Sequence, residues 1–197
     1  TRHLFGHERL WAGSGNDGLW YREGDGRWRR FIAPGFDASN GLEYLLATHH
    51  DGHDALWVSV FNSGLWRLDE HGLRHWSVAS GELPTDVLYN MVETPTSEGG
   101  HAVWASSRNG LIRIYRDKVQ VFDRRYGLLT NAIRGVSAWR SPNGTYVLWV
   151  ASEDGAARVI VDESPWKTVS LLGSSQTGVL SVLVDADAQG NERLWVG

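Results

Sequence analysis

The residues that most invite a chemical reading are His49, His50, Asp51 and His53, since imidazoles beside a carboxylate can hold zinc or copper. They crowd into one tight turn, where neighbouring residues converge poorly on a single ion. Asp51-Gly52 is also an ordinary turn pair, and no comparable group recurs elsewhere in the chain. No metal and no other cofactor is expected. A second set consists of polar residues in short Gly-containing segments: Asn16, Asp17, Asn62, Arg108, Asn109, Glu153 and Asp154. A third is Arg124-Arg125-Tyr126, a cluster that no backbone rule demands. Arginine, aromatic and amide groups brought together suit a polyhydroxylated or anionic ligand. No Ser/His/Asp order is identifiable and no carboxylates form an evident acid/base pair. Catalysis is therefore not expected. The alternative, a lyase or glycosidase, would draw on carboxylates such as Asp17 or Glu153.

The elements that must position these residues are repeated. Leu10-Trp11-Ala12-Gly13 returns as Leu56-Trp57-Val58-Ser59, Val103-Trp104-Ala105-Ser106, Leu148-Trp149-Val150-Ala151 and Leu194-Trp195-Val196-Gly197. The tryptophan spacings are 57−11 = 46, 104−57 = 47, 149−104 = 45 and 195−149 = 46. A period of roughly 40–50 residues, rich in short strands, is that of a propeller blade. Alternation within each copy places the Trp on one face and its apolar neighbours on the other. The Trp residues are expected to pack blade against blade rather than to form a ligand cage.

After each Trp strand comes a turn ending in Gly18, Gly64, Gly110 or Gly155, then a strand carrying an arginine. Asn-Gly and Asp-Gly turns of this kind favour hairpins. A short polar outer strand and a loop lead to the next inner strand. Labelling the inner strand A, the Trp strand B, then C and outermost D, the chain reads as an all-β, four-stranded antiparallel propeller segment over 1–197. Strands B, C and D of one blade occupy 8–31. Whole blades occupy 42–77, 87–122 and 133–169, and strands A and B of another occupy 178–197. The B–C turns and the longer D–A loops, the latter with Phe36, Asp37, Arg124, Arg125, Tyr126 and Gln176, would gather at one end of the blades. As a turn former, each Asn or Asp has a plainer role there too.

Open ends leave strand edges unsatisfied. Three arrangements answer this. The A strand near 179–185 could pair with the Leu10 strand and close a four-bladed ring. Otherwise the segment belongs to a larger propeller of roughly two to four more blades, or is completed by a second copy as a homodimer.

The repeat resembles the two-component regulator propeller repeat of bacterial sensor proteins, whose unit reads apolar-Trp-apolar-Gly-Thr, x-x-Gly-Leu, then a basic or aromatic strand. Leu10 to Ser14 with Gly18-Leu19-Trp20-Tyr21 matches best, and Leu56 to Ser59 with Gly64-Leu65-Trp66-Arg67 is close. Leu148 to Ala151 with Gly155-Ala156-Ala157 is degenerate. The resemblance implies a periplasmic sensor ahead of a membrane span and a histidine kinase, diguanylate cyclase or similar output domain. It also implies a small-molecule ligand, often a sugar. A further alternative is a protein-binding scaffold whose open blade ends pair with another chain. The motif is structural and assigns no binding residue. Gly24-Asp25-Gly26-Arg27-Trp28 resembles part of the aspartate box of sialidase-type propellers but lacks its companions, and reads as a C–D hairpin turn.

Bulk properties agree. Net charge is −4 and no Lys/Arg block exists, which argues against nucleic acid. There is no cysteine, hence no disulfide or thiol chemistry. No apolar run is long enough to cross a membrane, so any membrane attachment would lie in segments outside this chain.

Overall fold

The computed structural model describes residues 2–4, 7–15, 17–50, 53–161, 168–170 and 178–197. They form two compact units, 1–88 and 89–197. Every sheet is an antiparallel meander in chain order.

In the first unit, β1 (Arg2–Leu4), β2 (His7–Ser14), β3 (Gly18–Glu23) and β4 (Arg29–Arg30) form one sheet. β5 (Leu42–His50), β6 (His53–Val60), β7 (Gly64–Asp69) and β8 (Gly72–Trp76) form the next. The second unit holds β9 (Leu88–Pro95), β10 (His101–Ser107), β11 (Gly110–Tyr115) and β12 (Lys118–Phe122). A 3₁₀ turn (Arg124–Tyr126) leads to β13 (Ile133–Arg140), β14 (Tyr146–Ser152), β15 (Gly155–Ile160) and β16 (Thr168–Ser170). β17 (Val182–Ala186) and β18 (Glu192–Val196) make a two-stranded sheet. The Trp strands are β2, β6, β10, β14 and β18, second in every sheet.

The blade fold stands as the repeat implies, with three local differences. The first sheet has an inner strand that the sequence reading lacks: β1 pairs with β2 through Arg2↔Arg9, His3↔Glu8 and Leu4↔His7. Three residues carry no periodicity, so only pairing reveals them as a strand. The edge of the Leu10 strand on which the alternative of a closed ring relied is taken. β17 pairs with β18, and β2 already has β1 and β3 on its two edges. The outer strand expected over Trp28 to Phe31 shortens to β4, with the Phe31 N–H adding one bond to the Leu19 carbonyl at 2.8 Å. Trp166 and Lys167 of the fourth expected outer strand lie outside the described residues.

Alternation along the Trp strands builds the core. Leu56, Val58 and Val60 face a cluster with Leu19, Ala38, Trp66 and Leu68, against which Trp11 of the first sheet packs. In the second unit Trp104 lies in one cluster with Leu148 and Val150 of the next sheet, while Trp149 packs on Val184 of the sheet after that. Trp11, Trp104 and Trp149 therefore press on the following blade, whose own Trp-strand neighbours face back toward them. Each such ring buries on the order of 200 Å², worth roughly 5 kcal/mol of apolar transfer.

The arginine of each C strand belongs to the same packing. Arg67 stands opposite Trp57 in register, Arg113 opposite Trp104 and Arg158 opposite Trp149. The Arg67 and Arg113 guanidinium groups lie 5.5 and 5.7 Å from those rings, within cation–π range. In the first sheet Tyr21 takes the place opposite Trp11, at 5.5 Å between rings, so Arg22 is offset by one.

Candidate functional site

The B–C turns are fixed by backbone chemistry before any ligand enters. Gly18, Gly64, Gly110 and Gly155 all have positive φ, as does Asn62, conformations that glycine and asparagine tolerate best. Asp17 N–H donates to Ser14 Oγ at 3.2 Å and Asn109 N–H to Ser107 Oγ at 3.2 Å. Ser107 Oγ donates to the Gly110 carbonyl and Ser152 Oγ to that of Gly155, at 2.7 and 2.8 Å. Asp17, Asn62, Arg108, Asn109 and Asp154 are exposed on these turns. Asn16 and Gln176 lie outside the described residues.

In the second unit Glu153 is committed to its own fold. It forms an ion pair with Arg134 of β13. Arg134 Nη1 also donates to the Tyr89 hydroxyl at 2.6 Å, and its guanidinium lies 5.1 Å from that ring. The Glu153 hydrogen bond raises the Arg134 pKa above its ordinary value. A β-bulge between Ile133 and Gly135 accompanies this arrangement. Beside it the Asn90 amide bridges β9 to β13, donating to the Val136 carbonyl at 2.8 Å and accepting its N–H at 2.9 Å. Tyr89 and Arg134 are residues the sequence reading missed. Each is second in its inner strand, and that shared position was the available signal.

Arg124, Arg125 and Tyr126 form the 3₁₀ turn after β12, capped by Asp123. Arg125 spends its charge locally: its Nε donates to Asp123 Oδ2 at 2.9 Å and its Nη2 lies 2.7 Å from the same oxygen. Hydrogen bonds from the Arg125 side chain, then its backbone N–H, hold the Asp123 carboxyl below the usual aspartate range. Tyr126 leans edge-on against Phe122 at 5.1 Å. Arg124 remains exposed.

The first unit holds a cavity of about 200 Å³ at the same end of the blade as the Gly18 turn. It is lined by Gly18 and Leu19 of β3, by Arg30 of β4, by Phe31 and Ile32 after it, and by Phe36, Asp37 and Ala38 of the D–A loop. The loop is tied into turns, with Phe36 N–H donating to the Ala33 carbonyl and Gly41 N–H to that of Ala38, each at 3.1 Å. Gly41 has φ 90°, and a Cβ there would collide with the Gly15 carbonyl of the neighbouring B–C turn. Phe36 is a wedge: its ring meets Phe31 at 5.7 Å and Trp66 of the next blade at 5.3 Å, both edge-on. Phe31 in turn meets Trp11 at 5.5 Å. Asp37 Oδ1 accepts the Ser39 N–H at 2.9 Å, and that bond lowers its pKa. Phe36 and Asp37 were legible as loop residues. Arg30, Phe31 and Ile32 were not singled out, because a polar outer strand reads as a protected edge.

The histidines separate. His49 Nδ1 lies 2.8 Å from Asp54 Oδ1, whereas His53 hydrogen-bonds Glu70 of the β7–β8 turn, with His71 Nε2 at 3.6 Å from the same carboxylate oxygen. Asp51 lies outside the described residues. Among the described residues no three His, Asp or Glu side chains are grouped so as to hold a metal ion. Gly26 N–H donates to the Glu23 carbonyl at 2.9 Å, which makes the Gly24-to-Trp28 segment the hairpin turn between β3 and β4.

No protein-family model and no curated protein matches this chain. Solved structures do. The extracellular domain assigned to the one-component system BT4673 of B. thetaiotaomicron is 21% identical, with a TM-score of 0.66 over 98% of this chain and 24% of that one. The extracellular domain assigned to the hybrid two-component system BT3049 is 15% identical, with a TM-score of 0.55 over 97% of this chain and 31% of that one. Virginiamycin B lyase from Staphylococcus aureus is 14% identical, with a TM-score of 0.59 over 98% of this chain and 67% of that one. The chain spans less than a third of the two signalling domains. At these identities the likeness is one of fold. The chain is built of β-propeller blades, a fold it shares with these extracellular signalling domains and with the lyase.

Proposed function

We propose that this chain is a binding portion of an extracytoplasmic sensory propeller, non-enzymatic, which takes up a small polar ligand and passes the event to an output domain. The output would be a histidine kinase or diguanylate cyclase beyond a membrane span, and the compartment the periplasm. The observation that carries the reading is the cavity between the Gly18 turn and the D–A loop, with a cation, a carboxylate and two phenylalanines in its wall. A small concave site with a few polar groups on an apolar floor is the usual form of a ligand site. Phe31 and Phe36 also touch the aromatic contacts between two blades. A ligand there would bias blade packing, which is what a sensor requires. The fold shared with signalling domains supports the reading, and the commitment of Glu153 to Arg134 favours binding over acid/base chemistry at that carboxylate.

The test is a thermal-shift screen of the full chain against neutral saccharides, sugar acids, amino acids and other small metabolites, with hits confirmed by calorimetry. A hit should disappear in Ile32→Asp, a change at a residue 83% exposed that lines the cavity without supporting the core. Binding that survives Ile32→Asp places the site elsewhere and overturns this reading.

A further inference from the structure

The geometry points to a zwitterion, a small amino acid carrying both an ammonium and a carboxylate, as the ligand of this cavity; the inference rests on the binding reading above. Arg30 and Asp37 line the same small space. Among the described residues no ion pair joins them. Two opposite charges that share a cavity without neutralising each other leave room for a ligand bearing the complementary pair.

Each charge is held ready. Arg30 has no hydrogen-bond or ion-pair partner among the described residues. Its Nε and Nη2 lie against Gly18, each 3.7 Å from where a Cβ would stand. The missing side chain at Gly18, whose φ is 85°, lets the guanidinium rest beside the backbone at the cavity wall. Its planar fork suits a carboxylate. Asp37 uses Oδ1 on the Ser39 N–H, an Asx-type contact that orients the carboxylate and keeps it ionised. That carboxylate can receive an ammonium. Phe31, Phe36 and Ile32 supply an apolar wall for the body of the ligand. A volume of about 200 Å³ lies below the range of about 300–1,000 Å³ usual for drug-sized ligands and suits a molecule of amino-acid size. A ligand with one charge would meet only one of the two.

The experiment is calorimetric titration of the full chain with glycine, β-alanine, 4-aminobutyrate and L-leucine. The matched carboxylic acids and the matched amines are titrated alongside, as is a panel of neutral saccharides. At least one zwitterion should bind, and its acid-only and amine-only analogues should bind at least about tenfold more weakly. Arg30→Gln and Asp37→Asn should each weaken the zwitterion by about ten- to hundredfold, with Arg30→Gln leaving the melting temperature of the free protein unchanged and Asp37→Asn keeping the parent's circular dichroism spectrum. The inference is overturned if no zwitterion binds, if an acid-only analogue binds as tightly, or if either variant binds like the parent chain. A neutral saccharide that binds, is indifferent to Arg30→Gln and is lost in Ile32→Asp would sink the zwitterion and keep the sensing site. Absence of any hit would remove both.

Discussion

The blade packing makes one prediction that can be worked through from a single hydrogen bond. Trp104 Nε1 donates to Thr94 Oγ1 at 2.9 Å, joining the Trp strand to the inner strand of its own blade. Both residues are sealed from solvent, at 1% and 0% exposure. Thr94→Val replaces the hydroxyl with a methyl of nearly equal size, so no cavity opens, but the indole N–H loses that acceptor where water cannot replace it. Leaving a buried donor without its acceptor costs about 1–3 kcal/mol. For a chain of this size each kcal/mol lowers the melting temperature by about 2–4 °C, so a fall of about 2–12 °C is expected. Urea unfolding followed by tryptophan fluorescence gives the free energy directly. Thr94→Ser keeps the oxygen and should recover most of the loss. The equivalent bond in the preceding blade, Trp57 Nε1 to Thr48 Oγ1, is longer at 3.3 Å, so Thr48→Val should cost less. A Thr94→Val protein within about 0.5 kcal/mol of the parent would refute the account. So would equal losses in Thr94→Val and Thr94→Ser, which would assign the effect to shape rather than to the hydrogen bond.

Other expectations follow from the same contacts. Asn90→Ala removes two hydrogen bonds to Val136 and an acceptor for Ser106 Oγ at 2.7 Å; it should cost about 2–4 kcal/mol and speed hydrogen exchange at the Val136 amide. Gly41→Ala should destabilise by more than about 1 kcal/mol, since φ is 90° and the new Cβ would strike the Gly15 carbonyl, whereas Gly72→Ala, with open space around it, should cost less. Asp37, Asp123, Asp185 and Asp187 all titrate below the ordinary aspartate value of 3.8 in the folded chain. Their contribution is present above that value and lost as pH falls through the lower folded values. Melting temperature should therefore hold steady from neutral pH to about 5 and fall below about 4, less so in Asp123→Asn. Glu153→Gln should lower stability by about 0.5–1 kcal/mol, because the Arg134 pair is half exposed, and a double-mutant cycle with Arg134→Gln should show the two effects to be coupled.

Much of the blade was open to reading because its signals are local. A tryptophan flanked by apolar residues, a glycine that must take positive φ and an alternating C strand each act over a few residues, and repetition in phase multiplied them. The recurrence of an arginine in every C strand and its shifting offset could be read; the reason for the shift could not. The shift follows from cross-strand register, which places Arg67 opposite Trp57 but Tyr21 opposite Trp11. β1 was invisible for a similar reason. Three residues become a strand only because β2 offers an unpaired edge.

The candidate site divides along the same line. By itself the chain determined that polar and aromatic residues would sit on the B–C turns and D–A loops, since turn chemistry and strand period are written in neighbouring residues. Which of them meet was a tertiary matter. Glu153 looked available and is taken by Arg134, nineteen positions away in sequence and in a different strand. Arg125 looked available and is held by Asp123. Arg30 looked like part of a protected edge and instead lines a cavity with Asp37, because the D–A loop folds back and inserts Phe36 between two blades. Periodicity decides where a residue lies on its blade; whether its charge is spent or free depends on which partners the packed loops bring within hydrogen-bond reach.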